Sequence, residues 1–527
     1  MQADIVSRLR GEKVSNGHQA TVDETDVQSV DHERLIRHAV IIILGLTALR
    51  LVIAIFTPLQ VDEAYYWTWS EHLAAGYYDH PPLIAYVIRL GTLIAGNTEL
   101  GVRLISILLA LPMSWAVYRA GAILLDSVPA GVTAAIMLNV TMMVSFGVTI
   151  VSPDAPLMLA CSLVLLALAK LWQTGRGEWW LAVGAATGLA LLSKLNSFFI
   201  GLSILIWLAG TPKLRRWLWS PWPYAGGILA FALFAPTMLW NMQHDWVSFT
   251  RQLSRAHIDG FRPKFLLELL GGQILVATPI VFLIGTSGLW ALLKGGIMPR
   301  AASLLVNATI LPIVIYFTLH ALHGGVHPNW LAQIYPAFAV AAAAALHRAQ
   351  WGDRFRRVLD WCDRWAVPGT IAIFALAFLQ IDTGVLTAFR KDQGAHVFAI
   401  GFKPVAEEVE RLRAQSGAGC ILTSDFGTTS WFAFYLPQAC VAQHDERIRW
   451  ADVIDPDPAR LKGKLVFVAT DLPVERFDLG KSFASIQPLA HLTRYRGPTP
   501  IQTYEIVLLD GAKGDVFDRT LPPEVAR

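Results

Sequence analysis

Eleven apolar runs occupy most of the chain and leave it few ways to fold. They lie at Ala39–Phe56, Leu100–Leu125, Gly131–Ile150, Ala155–Trp172, Trp179–Leu192, Ser197–Gly210, Tyr224–Trp240, Phe265–Leu293, Ala301–Leu319, Trp330–Leu346 and Val367–Gln380. A helix of about 20 apolar residues crosses the ~30 Å hydrocarbon core and satisfies its own backbone there. The runs therefore predict a polytopic α-helical membrane protein of about 11 spans, or about 13 if the short pieces also cross. Composition agrees: 54% of residues are hydrophobic, only 16% are charged, and mean hydropathy is +0.46. Soluble domains carry roughly 25% charged residues. The net charge of +3 says little about partners; nucleic-acid binding needs a clustered basic face, none appears, and no nucleic-acid partner is expected.

Lysine and arginine set the expected orientation. Arg34, Arg37, Arg119, Arg176, Lys213, Arg215, Arg216, Lys294 and Arg300 fall in alternate connections, as does the cluster from Arg348 to Arg364. The positive-inside rule places these, and the N-terminus, in the cytoplasm. Residues 1–38 read as a cytoplasmic polar tail with no signal-peptide core, and 39–381 as the membrane core. The first outer connection, 58–99, contains Leu83–Ala95, too short to cross and therefore interfacial or re-entrant. From about Asp382 to residue 527 the composition changes to an outer α/β domain. Strands are expected at Cys420–Thr423, Lys464–Ala469 and Tyr504–Leu509, and helices at Lys403–Gln415 and Thr428–Tyr435. Cys420 and Cys440 fall in that domain, either paired in an oxidising compartment or left as two buried thiols.

The ionisable residues gather on the outer side. Asp62 and Glu63 open an aromatic stretch with Tyr65, Tyr66 and Trp67, and Tyr78, Asp79 and His80 precede a double proline. Carboxylates at a bilayer edge are costly unless solvated or functional. One of Asp62 and Glu63 can act as a general base or metal ligand while the other orients it; a helix-capping pair is the plainer reading. Asp154, bracketed by prolines, lies at the outer end of a span, where it either caps a helix or joins the site. Lys194, Arg251 and Arg255 are outer cations, the last two at i and i+4, and an anionic ligand would account for them. His327 and Asn329 lie at another outer boundary. Asp62, Asp79 and Asp154 could hold a divalent metal ion, although no motif demands one.

Five membrane-region stretches, and a sixth in the outer domain, carry a resemblance. They are Asp62 to Trp67, Tyr77 to Leu83, Ser152 to Pro156, Asn241 to Gln252 with Trp246, His327 to Trp330, and Ser424-Asp425 with Phe434 to Pro437. In these the chain resembles the lipid-linked-sugar glycosyltransferases of the GT-C superfamily, in the bacterial family 39/83 or PMT-2 group. That group includes aminoarabinose transferases acting on lipid A and relatives that move mannose or galacturonic acid. The resemblance implies a multi-pass protein of the bacterial inner membrane using a polyprenyl-phosphate sugar donor. The acceptor would be a lipid or other envelope glycan, at the periplasmic face. It implies that Asp62 is the catalytic carboxylate, with Asp154 in the same cavity. Where the aminoarabinose branch has a phosphate-binding lysine after its acid, this chain has His80 after Asp79. Lys194, Arg255 and Arg251 then become the phosphate candidates, with Tyr65, Tyr66, Tyr78, Asp79, His327 and Asn329 lining the substrate. A protein O-mannosyltransferase-like enzyme is the nearest alternative, and a lipid-linked-sugar transporter or flippase the alternative outside enzymes. A transporter would be expected to show internal repeats and midplane charges, and neither is evident.

Overall fold

The first span continues a 33-residue helix, Glu24–Phe56, which begins well inside the stretch expected to be a tail. The structure, a computed structural model, describes residues 24–255, 260–385, 393–453, 455–470 and 472–520. Seven helices among these are long and apolar enough to cross a membrane, and two bent helix pairs bring the number to nine. Reaching 11 requires the short apolar helices Trp179–Ser193 and Leu195–Gly210 to cross as well. Many spans carry large exposed apolar side chains, such as Ile228 and Leu267 at 71% and 72% exposure, as lipid contact requires.

Two interruptions depart from the sequence expectation. The run expected over Phe265–Leu293 is two helices, Lys264–Ala277 and Pro279–Lys294, bent by 104°. Pro279 has no N–H to continue the ladder and disfavours helical geometry at Thr278, whose φ is +64°. The run over Gly131–Ile150 is likewise broken, by 56°, between Asn139 and Met142. Here the buried Arg50 donates to the Asn139 carbonyl at 3.0 Å, and Thr370 donates to the Val140 carbonyl at 2.7 Å. Side chains from other spans thus satisfy the carbonyls that the break releases.

The first outer connection holds two short helices, Val61–Glu71 and Leu83–Ala95. The Val61–Glu71 helix packs against the outer-domain helix Phe426–Tyr435, with Trp67 and Phe434 ring centroids 5.0 Å apart. The C-terminal domain, called the outer domain after its expected side, carries a five-stranded sheet in the order β2-β1-β3-β5-β4. The strands are β1 Ile421–Thr423, β2 Val441–Gln443, β3 Leu465–Thr470, β4 Phe483–Arg496 and β5 Thr499–Ala512. β1 runs parallel to β2 and β3, and β5 pairs antiparallel with β3 and β4. Cys420 and Cys440 are bonded and tie the approaches to β1 and β2.

One ion pair joins the first span, the first connection and the Ser152–Pro156 stretch. Arg103 is 1% exposed and Glu63 is fully buried. Arg103 donates to both Glu63 carboxylate oxygens, at 2.8 and 2.5 Å. It also donates to the carbonyls of Ala54, Thr57 and Pro58 where the first span ends. Glu63 accepts in addition from the backbone N–H of Gln60 at 2.8 Å and of Val151 at 2.9 Å. Removing one member strands the other as a buried charge, at a cost of about 3–5 kcal/mol. Arg103→Ala is therefore expected to lower the thermal midpoint of the detergent-solubilised protein strongly, while Arg356→Ala, a half-exposed cation, is expected to change it little.

Candidate active site

The Val61–Glu71 helix starts with a capping box at Gln60, whose side-chain oxygen accepts from the N–H of Asp62 and of Glu63. This start turns Asp62 and Glu63 to different surroundings. Glu63 has both oxygens committed to Arg103 and backbone N–H groups, so it positions the helix and is withdrawn from substrate contact. That corrects its expected place among the catalytic residues. Asp62 is half-buried and accepts only a long 3.4 Å contact from the Gln60 side-chain nitrogen. Burial, offset in part by Gln60 and reinforced by Asp79 and Glu63, raises its carboxyl above the usual aspartate range. A carboxylate so raised is a better proton acceptor than a free aspartate.

Asp154 begins the span Asp154–Thr174 and is 1% exposed. Its Oδ1 accepts from Lys194 Nζ at 2.7 Å and its Oδ2 from Asn329 Nδ2 at 2.8 Å. Three of the sequence candidates therefore converge from three separate elements. Lys194 follows Trp179–Ser193 at a break before the 3-10 turn Leu195–Phe198, while Asn329 opens the 3-10 turn Pro328–Ile334.

Asp79 is held by three arginines. Arg449 Nη1 donates to its Oδ2 at 2.6 Å, and Arg251 and Arg255 approach its Oδ1 at 3.6 and 3.5 Å. The helix Val247–Ser254 supports this loop from outside the first connection. Ser248 donates to the Tyr77 carbonyl at 2.6 Å and Gln252 to the Asp79 carbonyl at 2.8 Å. The Asn241–Gln252 stretch thus clamps the Tyr77–Leu83 stretch.

A cavity of about 390 Å³ opens beside these groups. His80, Lys194, Arg255, Asn329, Gln252 and His320 supply its polar wall. Burial, then the charges of Lys194 and Arg255, brings the His80 pKa down to about 4, so its ring is neutral at pH 7. His327 lies nearby with part of its surface open to solvent, and the partial burial of its ring, then the charges of Arg255 and Lys194, lowers its pKa as well. Tyr66 is buried with its ring 6.1 Å from that of His80. Burial, then the charges of Asp62, Asp79 and Asp154, pushes its hydroxyl well above the ordinary range. Of the residues expected to line the substrate, Asn329 is in the cavity wall, while Tyr65, Tyr66, Tyr78, Asp79 and His327 lie behind or beside it, as do Asp62, Asp154 and Arg251. Tyr65 packs between Phe426 and Trp450 of the outer domain, and Tyr78 lies under the guanidinium groups of Arg251 and Arg449.

The three carboxylates expected as possible metal ligands each have other partners here. Asp79 is occupied by arginines and Asp154 by Lys194 and Asn329, and among the described residues no three His, Cys, Asp or Glu side chains gather as ligands. This donor set suits an anion instead, with a lysine and an arginine beside a neutral histidine. Sequence reasoning missed Arg103 and Arg449, and took Gln252 only as the end of a matched stretch. Arg103 carried a readable signal, a cation a few residues into an apolar run. Arg449 carried none, because only the folded outer domain brings it to Asp79.

With this geometry in view, known proteins supply a comparison. Residues 79–240 match the family of dolichyl-phosphate-mannose-protein mannosyltransferases. The lipid A galacturonosyltransferase RgtD of Rhizobium johnstonii is 28% identical over 320 residues, which are 59% of this chain and 66% of that protein. ArnT from Cupriavidus metallidurans bound to undecaprenyl phosphate superposes with a TM-score of 0.62 at 16% identity, covering 91% of this chain and 99% of ArnT. The chain has the GT-C fold. The mycobacterial arabinofuranosyltransferase AftD shares it more distantly, with a TM-score of 0.51 at 15% identity over 90% of this chain and 40% of AftD. The GT-C fold accounts for the many spans, the short helices of the first connection and the outer sheet together.

Buried pairs predict a coupling. Lys194→Met leaves Asp154 uncompensated, whereas Lys194→Met with Asp154→Asn removes both charges. The double variant is expected to melt above the Lys194→Met single variant; strictly additive losses would show that the pair is not coupled.

Proposed function

We propose that this chain is an inverting glycosyltransferase that moves a sugar from a polyprenyl-phosphate donor to lipid A or a related envelope glycan. The observation that carries this reading is the continuity of the cationic cavity with a lipid-facing groove. Phe199 and Tyr316 line both the cavity that holds Lys194 and Arg255 and a groove of about 1000 Å³ between Phe199–Ile206 and the helix Arg300–His320. At 1.5 Å per residue that helix spans about 30 Å, the thickness of the hydrocarbon core. A phosphate on a long apolar tail fits this pairing of charge and grease. The likeness to a lipid A galacturonosyltransferase and to ArnT bound to undecaprenyl phosphate supports the same donor and acceptor classes. The protein O-mannosyltransferase reading draws on the matched family's description alone.

In the reaction, the bond between the sugar's anomeric carbon and the donor phosphate breaks as the acceptor hydroxyl oxygen bonds to that carbon from the opposite face. Lys194 and Arg255 stabilise the charge that collects on the departing polyprenyl phosphate. Asp62 accepts the proton lost by the acceptor. Asp154 and Asn329 hold Lys194 and the cavity wall in place.

The reading has the first connection and the outer domain in the periplasm and the N-terminus in the cytoplasm. Cysteines introduced near residues 79 and 425 should then be labelled from outside the inner membrane, and one near 356 only after permeabilisation; the reverse pattern would overturn the orientation. Asp62→Asn should abolish transfer while the protein still folds and binds undecaprenyl phosphate, and full activity would remove Asp62 as the base. In the wild type, activity should fall on acidification through the Asp62 pKa, at a pH above the ~3.9 of a free aspartate, because burial raises it. Mass spectrometry of envelope glycolipids from a deletion strain should show one glycan lacking a sugar and a polyprenyl-phosphate sugar accumulating.

A further inference from the structure

Arg449 sits in the short 3-10 turn Arg447–Trp450 of the outer domain, 370 residues along the chain from Asp79. It nevertheless makes the shortest of the three arginine contacts to Asp79, at 2.6 Å against 3.5 and 3.6 Å. Its side chain is 7% exposed. The guanidinium lies over the rings of Tyr78 and Phe426, 4.8 and 4.7 Å from their centroids, and its Nε donates to Glu446 at 2.9 Å. A cation enclosed on each side in this way does not swing toward a ligand. Its influence passes through the carboxylate it holds.

That carboxylate adjoins the anion cavity. Asp79 precedes His80, which lines the cavity together with Arg255. Arg255 stands 3.5 Å from Asp79 Oδ1, longer than the 2.7–3.2 Å of a formed hydrogen bond. Without Arg449, the one arginine at hydrogen-bond distance, Asp79 would keep only the looser contacts of Arg251 and Arg255, would draw Arg255 in and would repel a phosphate.

We propose that Arg449 is a positioning residue of the anion cavity, neutralising Asp79 so that Arg255 stays turned toward the ligand. The inference rests on the donor reading above and extends it, because it makes the outer domain part of the donor site. It also accounts for the choice of arginine, whose planar group can stack on Tyr78 and Phe426 while donating to both Asp79 and Glu446.

Binding of undecaprenyl phosphate to the detergent-solubilised full chain tests it, with thermal melting of each variant alongside. Arg449→Gln is expected to weaken binding about tenfold. Adding Asp79→Asn to Arg449→Gln removes the carboxylate that captures Arg255, and is expected to bring binding back to within about threefold of wild type. Arg449→Lys keeps the charge, so it is expected to fold like the wild type and to bind between the two. A merely structural Arg449 would give a double variant at least as impaired as the single one. That result, or unchanged affinity in a folded Arg449→Gln protein, overturns the proposal. A wild-type chain that binds no undecaprenyl phosphate overturns the donor reading, and this inference with it.

Discussion

The buried pair of Glu63 and Arg103 holds the outer face of this molecule together. Arg103 belongs to the span Glu99–Leu124, yet it closes the C-terminal carbonyls of the first span and fixes the opening turn of the Val61–Glu71 helix. Through Glu63 it also reaches the backbone of Val151, three residues before Asp154. Asp62 and Asp154 come from segments 92 residues apart in sequence, and this pair ties the backbone beside one to the backbone near the other. A buried ion pair is weak evidence for stability in itself, since desolvation offsets much of the attraction. Here its value is geometric, because five partners on three segments satisfy one guanidinium and one carboxylate.

A second layer of the same logic joins the membrane core to the outer domain. Asp79 gathers arginines from the Val247–Ser254 region and from the outer domain, and Tyr65, Tyr78 and Phe426 supply the aromatic faces on which Arg449 rests. The backbone of the two parts meets as well, where Ala399 donates to the Leu59 carbonyl at 2.9 Å immediately before the capping box. The outer domain is thus anchored at the start and at the middle of the acidic first connection.

Much of this was legible in the sequence, and the gaps have physical causes. Apolar runs marked the spans because burial in lipid demands them, and carboxylates at a bilayer edge drew attention to the first connection because they are costly there. Lys194, Asp154 and Asn329 were picked out one at a time for their membrane side, and the structure brings them into contact. The expectation failed where one pattern serves two roles. Glu63 and Asp62 look alike in sequence, but the helix start turns one into a buried ion pair and leaves the other half-exposed. Tyr65 and Tyr78 read as substrate aromatics and are instead packing surfaces for the outer domain. The edge strand β4 went unseen because its side chains are mostly solvent-facing and Pro488 interrupts the alternation at a bulge. β2 is only three residues long.

On the proposed reading, the shared wall formed by Phe199 and Tyr316 has a kinetic consequence. A donor seated in the cavity with its tail in the groove arrives and departs sideways, within the plane of the bilayer, without entering bulk water. The relevant concentration is then a mole fraction of lipid, and occupancy follows the number of donor molecules per unit of membrane area rather than per unit of cell volume. Spent polyprenyl phosphate shares the same doorway, so the carrier competes with its own charged form at the threshold. Turnover in such an arrangement is governed by the ratio of the two lipids in the surrounding leaflet.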